Sequence, residues 1–143
     1  MPISLNNDMM RSIILDHYSK PNNKNTPNID GYEKLHMHSD NCIDDINVYL
    51  LVDKNIVKDA SFDGVACAIS TASTDILCDL LKDKDVKAAL YIIEQYMHMI
   101  HEEPYDGEVL EEALAFVNTS KQAARIRCAT IGWNAANEIL KGK

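Results

Sequence analysis

The chain has 143 residues, 46% hydrophobic and 25% charged, proportions of a soluble globular protein long enough to bury a core without covalent staples. Its formal net charge of −8 and pI of about 5.0 argue against a nucleic-acid groove or an anionic membrane surface as partner. No apolar run approaches the roughly 20 residues of a membrane-spanning helix, and residues 1–15 lack the marks of a secretory signal, so a cytoplasmic protein with reduced thiols is expected.

Residues 1–7 read as a tail. Asp8 is a candidate cap for a first helix whose apolar positions, Met9 or Met10, Ile13 or Ile14 and Tyr18, follow helical spacing. Pro21 and the asparagine-rich stretch to Asn28 end it. Leu35 and Met37 alternate with His36 and His38, as in a short strand. Asn41 to Asp45 reads as a turn, and Ile46 to Val52 as a strand rich in β-branched and aromatic residues. Asp53-Lys54-Asn55 is a tight connection, and Ile56 to Phe62 the returning strand of a hairpin.

From Ala68 the apolar period changes from two to about 3.6. Ile69, Ala72, Ile76 and Leu80 form a stripe widened by Leu77 and Leu81. A further helix starts near Asp83 or Asp85 and runs to about His101. Pro104 to Gly107 break the chain, and Leu110, Leu114 and Phe116 or Val117 mark a short helix or packed turn. Asn118, Thr119 or Ser120 is the expected cap of a last helix reaching about Leu140. That helix is apolar on two sides, Ile126, Trp133 and Leu140 against Cys128, Ile131, Ala135 and Ile139, which suits a wedge between a sheet and another helix. One α+β domain over residues 1–143 is expected, a small antiparallel sheet of about three strands covered by helices.

Four cysteines in a reducing compartment point to metal or sulfur chemistry, or to plain packing, before disulfides. Cys67 falls at a strand-to-helix turn after Gly64, where a helix dipole favours thiolate. The competing reading is a small buried hydrophobe. Cys42 and Asp44 precede the first hairpin strand, and Cys67 follows the second. Hairpin geometry therefore brings the three to the open end together. If Cys128 packs over that end, the set becomes three sulfurs and one carboxylate, a donor set that zinc accepts. The bare spacing contains no CxxC knuckle and is by itself a weak motif. Arg125 neighbours Cys128 on one helix face and would favour thiolate, unless it is an ordinary surface arginine. Cys78 sits mid-helix without a ligand partner and reads as packing. His17, His36, His38, His98 and His101 read as surface or capping residues.

Four stretches in order resemble the SufU-type branch of the IscU/NifU-like iron–sulfur assembly proteins. They are Ile14-Leu15-Asp16-His17-Tyr18 with Pro21 and Asn23, then Asn41-Cys42-x-Asp44, then Phe62-x-Gly64-x-x-Cys67-Ala68-Ile69-Ser70-x-Ala72-Ser73, then Ala124-Arg125-Ile126-Arg127-Cys128-Ala129-Thr130 with Trp133. Arg127 stands where IscU proteins typically carry histidine, and the long separation of Cys67 from Cys128 also favours the SufU branch. The usual C-G-D turn is here Cys42-Ile43-Asp44. The resemblance implies a zinc site of Cys42, Asp44, Cys67 and Cys128, with Cys42 as sulfur acceptor and Arg125 assisting. It also implies a PLP-dependent cysteine desulfurase of the SufS type as partner, and a downstream iron–sulfur scaffold as recipient. The alternative it leaves is a scaffold building an iron–sulfur cluster on the same ligands.

Overall fold

A computed structural model describes residues 6–28, 30–38 and 43–143. The order is α1 (Asn7–Ser19), β1 (Glu33–His38), β2 (Asp45–Asp53), β3 (Ile56–Val65), α2 (Ala68–Leu81), α3 (Val86–Ile100) and α4 (Ala123–Lys141). Short 3₁₀ turns at Gly107–Val109, Glu111–Phe116 and Thr119–Lys121 join α3 to α4. The strands form one antiparallel sheet in the order β1-β2-β3, the expected α+β arrangement.

The hairpin turns at Lys54 and Asn55, with φ of 52° and 67°. This left-handed pair matches the twist of the flanking strands. Ile46, Val48 and Leu50 then face inward beside Ala60 and Phe62, and all five are buried. Pairing continues past Phe62 because Gly64, at φ 111°, still lies opposite Ile46. A Cβ there would drive into the Asp45 carbonyl oxygen and sit 3.0 Å from the Ile46 Cα. Only glycine allows the strands to stay this close where they deliver Asp44 and Cys67.

Helix α2 is the centre of the molecule. It packs on α1, α4 and β3, and an unbroken run from Ser70 to Cys78 is buried. The apolar stripe read from the sequence is present, but the opposite face is covered as well. Its residues are small or hydrogen-bonded. Ser73 donates to the Ala129 carbonyl at 2.6 Å, and Gly132 of α4 runs so close to Thr74 that a Cβ there would collide with it. Helix α4 touches α2, α3, β1 and β2, the wedge its two apolar sides required.

Two helix starts differ from expectation. The α1 cap is Asn6, whose side chain accepts from the Met9 N–H at 2.8 Å, and Asp8 lies inside the first turn. Residues 119–121 close a 3₁₀ turn of their own, so α4 begins only at Ala123, after an extended Gln122 without a side-chain cap bond.

Candidate metal centre

Asp44 directly precedes β2, and Cys67 lies two residues beyond β3. With Asp45 paired to Val65, the ladder sets the two side by side. Cys67 is the N-cap of α2, at φ −69° and ψ 171°. Its backbone N–H donates to Asp44 Oδ1 at 2.8 Å, and its Sγ lies 4.0 Å from Asp44 Oδ2. The Ser70 hydroxyl donates to the same Oδ2, and the Ser70 N–H points at Cys67 Sγ from 3.4 Å. Asp44 itself is buried, whereas Cys67 and Cys128 are half-buried and free of disulfides.

Cys128 comes from the second turn of α4. That turn is pinned from behind: Tyr96 and Ser73 both donate to the Ala129 carbonyl, at 2.8 and 2.6 Å. Trp133 Nε1 donates to Ser73 Oγ at 2.8 Å, and its ring stacks on Tyr96 with centroids 3.6 Å apart. Three elements thus bring one ligand atom each from Asp44, Cys67 and Cys128 within 4.8 Å of one another. The convergence expected at the mouth of the hairpin is present for these three, while Cys42 lies outside the described residues. Arg125 is exposed on the first turn of α4, and its guanidinium makes no hydrogen bond or ion pair among the described residues. Ile43 and Val65, 64% and 62% exposed, stand at the same end of the hairpin.

The donor set tests well for a soft divalent cation. Burial pushes the Cys128 thiol up to about 12, aided by its hydrogen bond to Cys67 and by the charges of Cys67 and Asp44. The Cys128 thiol thus resists shedding its proton, first because it is buried and then because the neighbouring groups would be anions. A divalent cation supplies positive charge and lets coordinating thiols deprotonate. Two sulfurs and one oxygen are also ligand types of zinc.

The chain's relatives can now be stated. The profile of the NifU-like N-terminal domain matches residues 9–129. This chain belongs to that family. It is 36% identical over 128 residues to the zinc-dependent sulfurtransferase SufU of Bacillus subtilis (strain 168), covering 89% of this chain and 86% of that one. It is 30% identical over 143 residues to the iron–sulfur cluster assembly scaffold protein IscU of Streptococcus pyogenes serotype M1, covering 99% and 88%. A SUF-system protein from Fervidobacterium islandicum AW-1 shares the fold, with a TM-score of 0.81 at 24% identity over 90% of this chain and 93% of that one. The resemblance read from the four sequence stretches holds.

In this NifU-like chain a second group, His17, Asp75 and Asp79, also brings three ligand atoms within 4.8 Å. Expected as a surface or capping residue, His17 is instead 6% exposed and bonded across to another helix. Its Nδ1 lies 2.5 Å from Asp75 Oδ2 and its Nε2 lies 3.2 Å from Glu112 Oε2. Asn23 donates its backbone N–H to Asp75 Oδ1 at 2.8 Å, and its side-chain amide to Asp75 and Asp79. The donors and acceptors are mutually satisfied, so this group is a structural clamp of α1 on α2. His36 is exposed as expected and pairs with Asp45 at 2.5 Å. Cys78 is buried, and burial raises its thiol pKa well above the ordinary value, as packing requires.

Proposed function

We propose that this chain accepts persulfide sulfur from a PLP-dependent cysteine desulfurase of the SufS type and carries it, in a zinc-dependent manner, into iron–sulfur cluster assembly. The observation that carries the reading is the convergence of Asp44, Cys67 and Cys128. A relative 36% identical is a zinc-dependent sulfurtransferase, which supports it. Cys42, two residues before Asp44 in the sequence, would bring the donor set to the four that zinc takes. Zinc, when bound, holds these thiolates deprotonated without redox activity of its own.

The transfer is an exchange between sulfurs. The Cys42 thiolate attacks the outer sulfur of the desulfurase persulfide and forms a new S–S bond. The old S–S bond breaks, the desulfurase cysteine leaves as thiolate, and nothing is oxidised or reduced overall. Arg125, exposed beside Cys128, offers positive charge to the anionic sulfur as it arrives. Exposed Ile43 and Val65 offer apolar contact for the partner at the mouth of the hairpin. The sulfur then passes to a downstream iron–sulfur scaffold. The test is sulfide production by a SufS-type desulfurase with and without this chain. Stimulation by the wild type that disappears in Cys42→Ala is expected; stimulation retained in Cys42→Ala removes Cys42 as the acceptor.

One observation favours a second reading. The chain spans 88% of a relative that is an iron–sulfur cluster assembly scaffold, and thiolates with a carboxylate also hold iron. Metal analysis after anaerobic purification separates the two. Tightly held zinc with no cluster after reconstitution is the expected result, and a stoichiometric iron–sulfur chromophore favours the scaffold.

A further inference from the structure

Ser70 is fully buried at the start of α2, three residues after Cys67 and therefore on the same helix face. It sits at the junction of two donors. Its hydroxyl donates to Asp44 Oδ2, while its backbone N–H reaches Cys67 Sγ from 3.4 Å. The other carboxylate oxygen, Oδ1, is held by the Cys67 N–H at 2.8 Å. Each oxygen of Asp44 thus has its own donor on the first turn of α2. Oδ2 is the oxygen on the thiol side, 4.0 Å from Cys67 Sγ. A carboxylate oxygen has lone pairs for both a hydrogen bond and a metal bond, whereas Oδ1 is turned toward the backbone.

We propose that Ser70 is a positioning residue that presents Asp44 to a metal ion through Oδ2 alone. The inference rests on the metal-site reading above and adds to it which oxygen binds and what holds it. A free carboxylate can swing between one-oxygen and two-oxygen coordination. Two donors anchored on one helix turn remove that freedom before the metal arrives. Hydrogen bonds of this kind to metal ligands typically change affinity by about 10–100-fold when removed.

The experiment is a double-mutant cycle on the full chain, read by zinc competition titration and by the absorption bands of the Co2+-loaded protein. Ser70→Ala is expected to weaken zinc about 10–100-fold and to alter the Co2+ ligand-field bands, because Asp44 is free to change its coordination. In an Asp44→Ala background the same substitution is expected to cost less than about twofold, the mark of an effect acting through Asp44. Ser70→Thr keeps the hydroxyl and is expected to return affinity to within about threefold of wild type. Equal losses in both backgrounds overturn the proposal, as does a folded threonine variant as weak as the alanine one. A wild-type chain that takes up neither Zn2+ nor Co2+ overturns it together with the metal reading. Intact coupling between Ser70 and Asp44 in a chain that fails to stimulate a desulfurase overturns only the sulfur-transfer reading.

Discussion

Helix α2 carries two polar clusters, and they are built on opposite plans. At its N-terminal end Asp44, Cys67 and Cys128 put sulfur and carboxylate together, with the Ser70 hydroxyl and the Cys67 backbone N–H donating to Asp44. Further along, Asp75 is wholly buried but surrounded by His17 and Asn23, with Lys82 bonding Asn23 from the far side. Both groups satisfy the distance criterion for holding a cation. The difference is in how their charges are answered. The His17 cluster contains its own positive groups and amides, so a metal would have to displace existing bonds. In the cysteine cluster hydroxyl, backbone and thiol groups stand against the carboxylate, and burial together with the charges of Cys67 and Asp44 raises the Cys128 thiol pKa. Spacing alone therefore does not distinguish a binding site from a structural clamp; the satisfaction of each donor does.

The strongest way to break this comparison is Asp75→Ala. It strands His17 and the Asn23 amides in the interior, and leaving a buried charged partner uncompensated costs about 3–5 kcal/mol. A large fall in melting temperature is expected, with zinc bound per folded molecule unchanged. Lost zinc at full stability would reverse the two roles. Next in size is Gly64→Ala. Its φ of 111° and the collision of a new Cβ with Asp45 predict a loss of about 1–3 kcal/mol. Because the strain falls at the mouth of the hairpin, weaker zinc binding is expected as well, in contrast to Asp75→Ala. Smaller again is Cys78→Ala, expected to cost about 1–2 kcal/mol for the lost packing and no zinc, as measured by denaturation and metal analysis. A lost equivalent of zinc would place Cys78 among the ligands.

The same contrast explains what could be read from the sequence. The hairpin and its mouth were legible because strand alternation, a tight connection and the change of period at Ala68 are local signals. Those local signals suffice to set Asp44 beside Cys67. Cys128 needed the last helix to cross that end, which the two apolar faces of α4 suggested without fixing. The His17 clamp was missed because its partners, Asn23, Asp75 and Glu112, are scattered along the chain and no local pattern links them. One signal was there: Asp75 directly precedes Ile76 of the apolar stripe, in a helix too central to expose it. Ser70 was visible in the quoted motif, but its role follows only from where Asp44 ends up. The two helix starts differ from expectation for separate reasons. Asn6 and Asp8 have similar capping power, whereas a 3₁₀ turn at Thr119–Lys121 takes up the expected cap residues before α4 begins.

The finest test uses the one titratable base in the clamp. Burial by itself lowers the His17 pKa, but its hydrogen bonds to Asp75 and Glu112, and then their charges, outweigh burial and hold it above the ordinary 6.5. The groups facing it are Asp75 and Asp79 from α2 and Glu112 from the 3₁₀ turn, all carboxylates. A raised folded-state pKa means that the folded protein binds the proton more tightly than the unfolded chain. Its contribution is therefore complete below the unfolded value, near pH 6.5, and is lost as pH rises through the higher folded value. Urea denaturation of the metal-free protein between pH 6 and 9 should show this decline in the wild type, and His17→Gln should flatten it. A decline that survives in His17→Gln would assign it to another group, and stability that rises over this range would mean the histidine is held neutral.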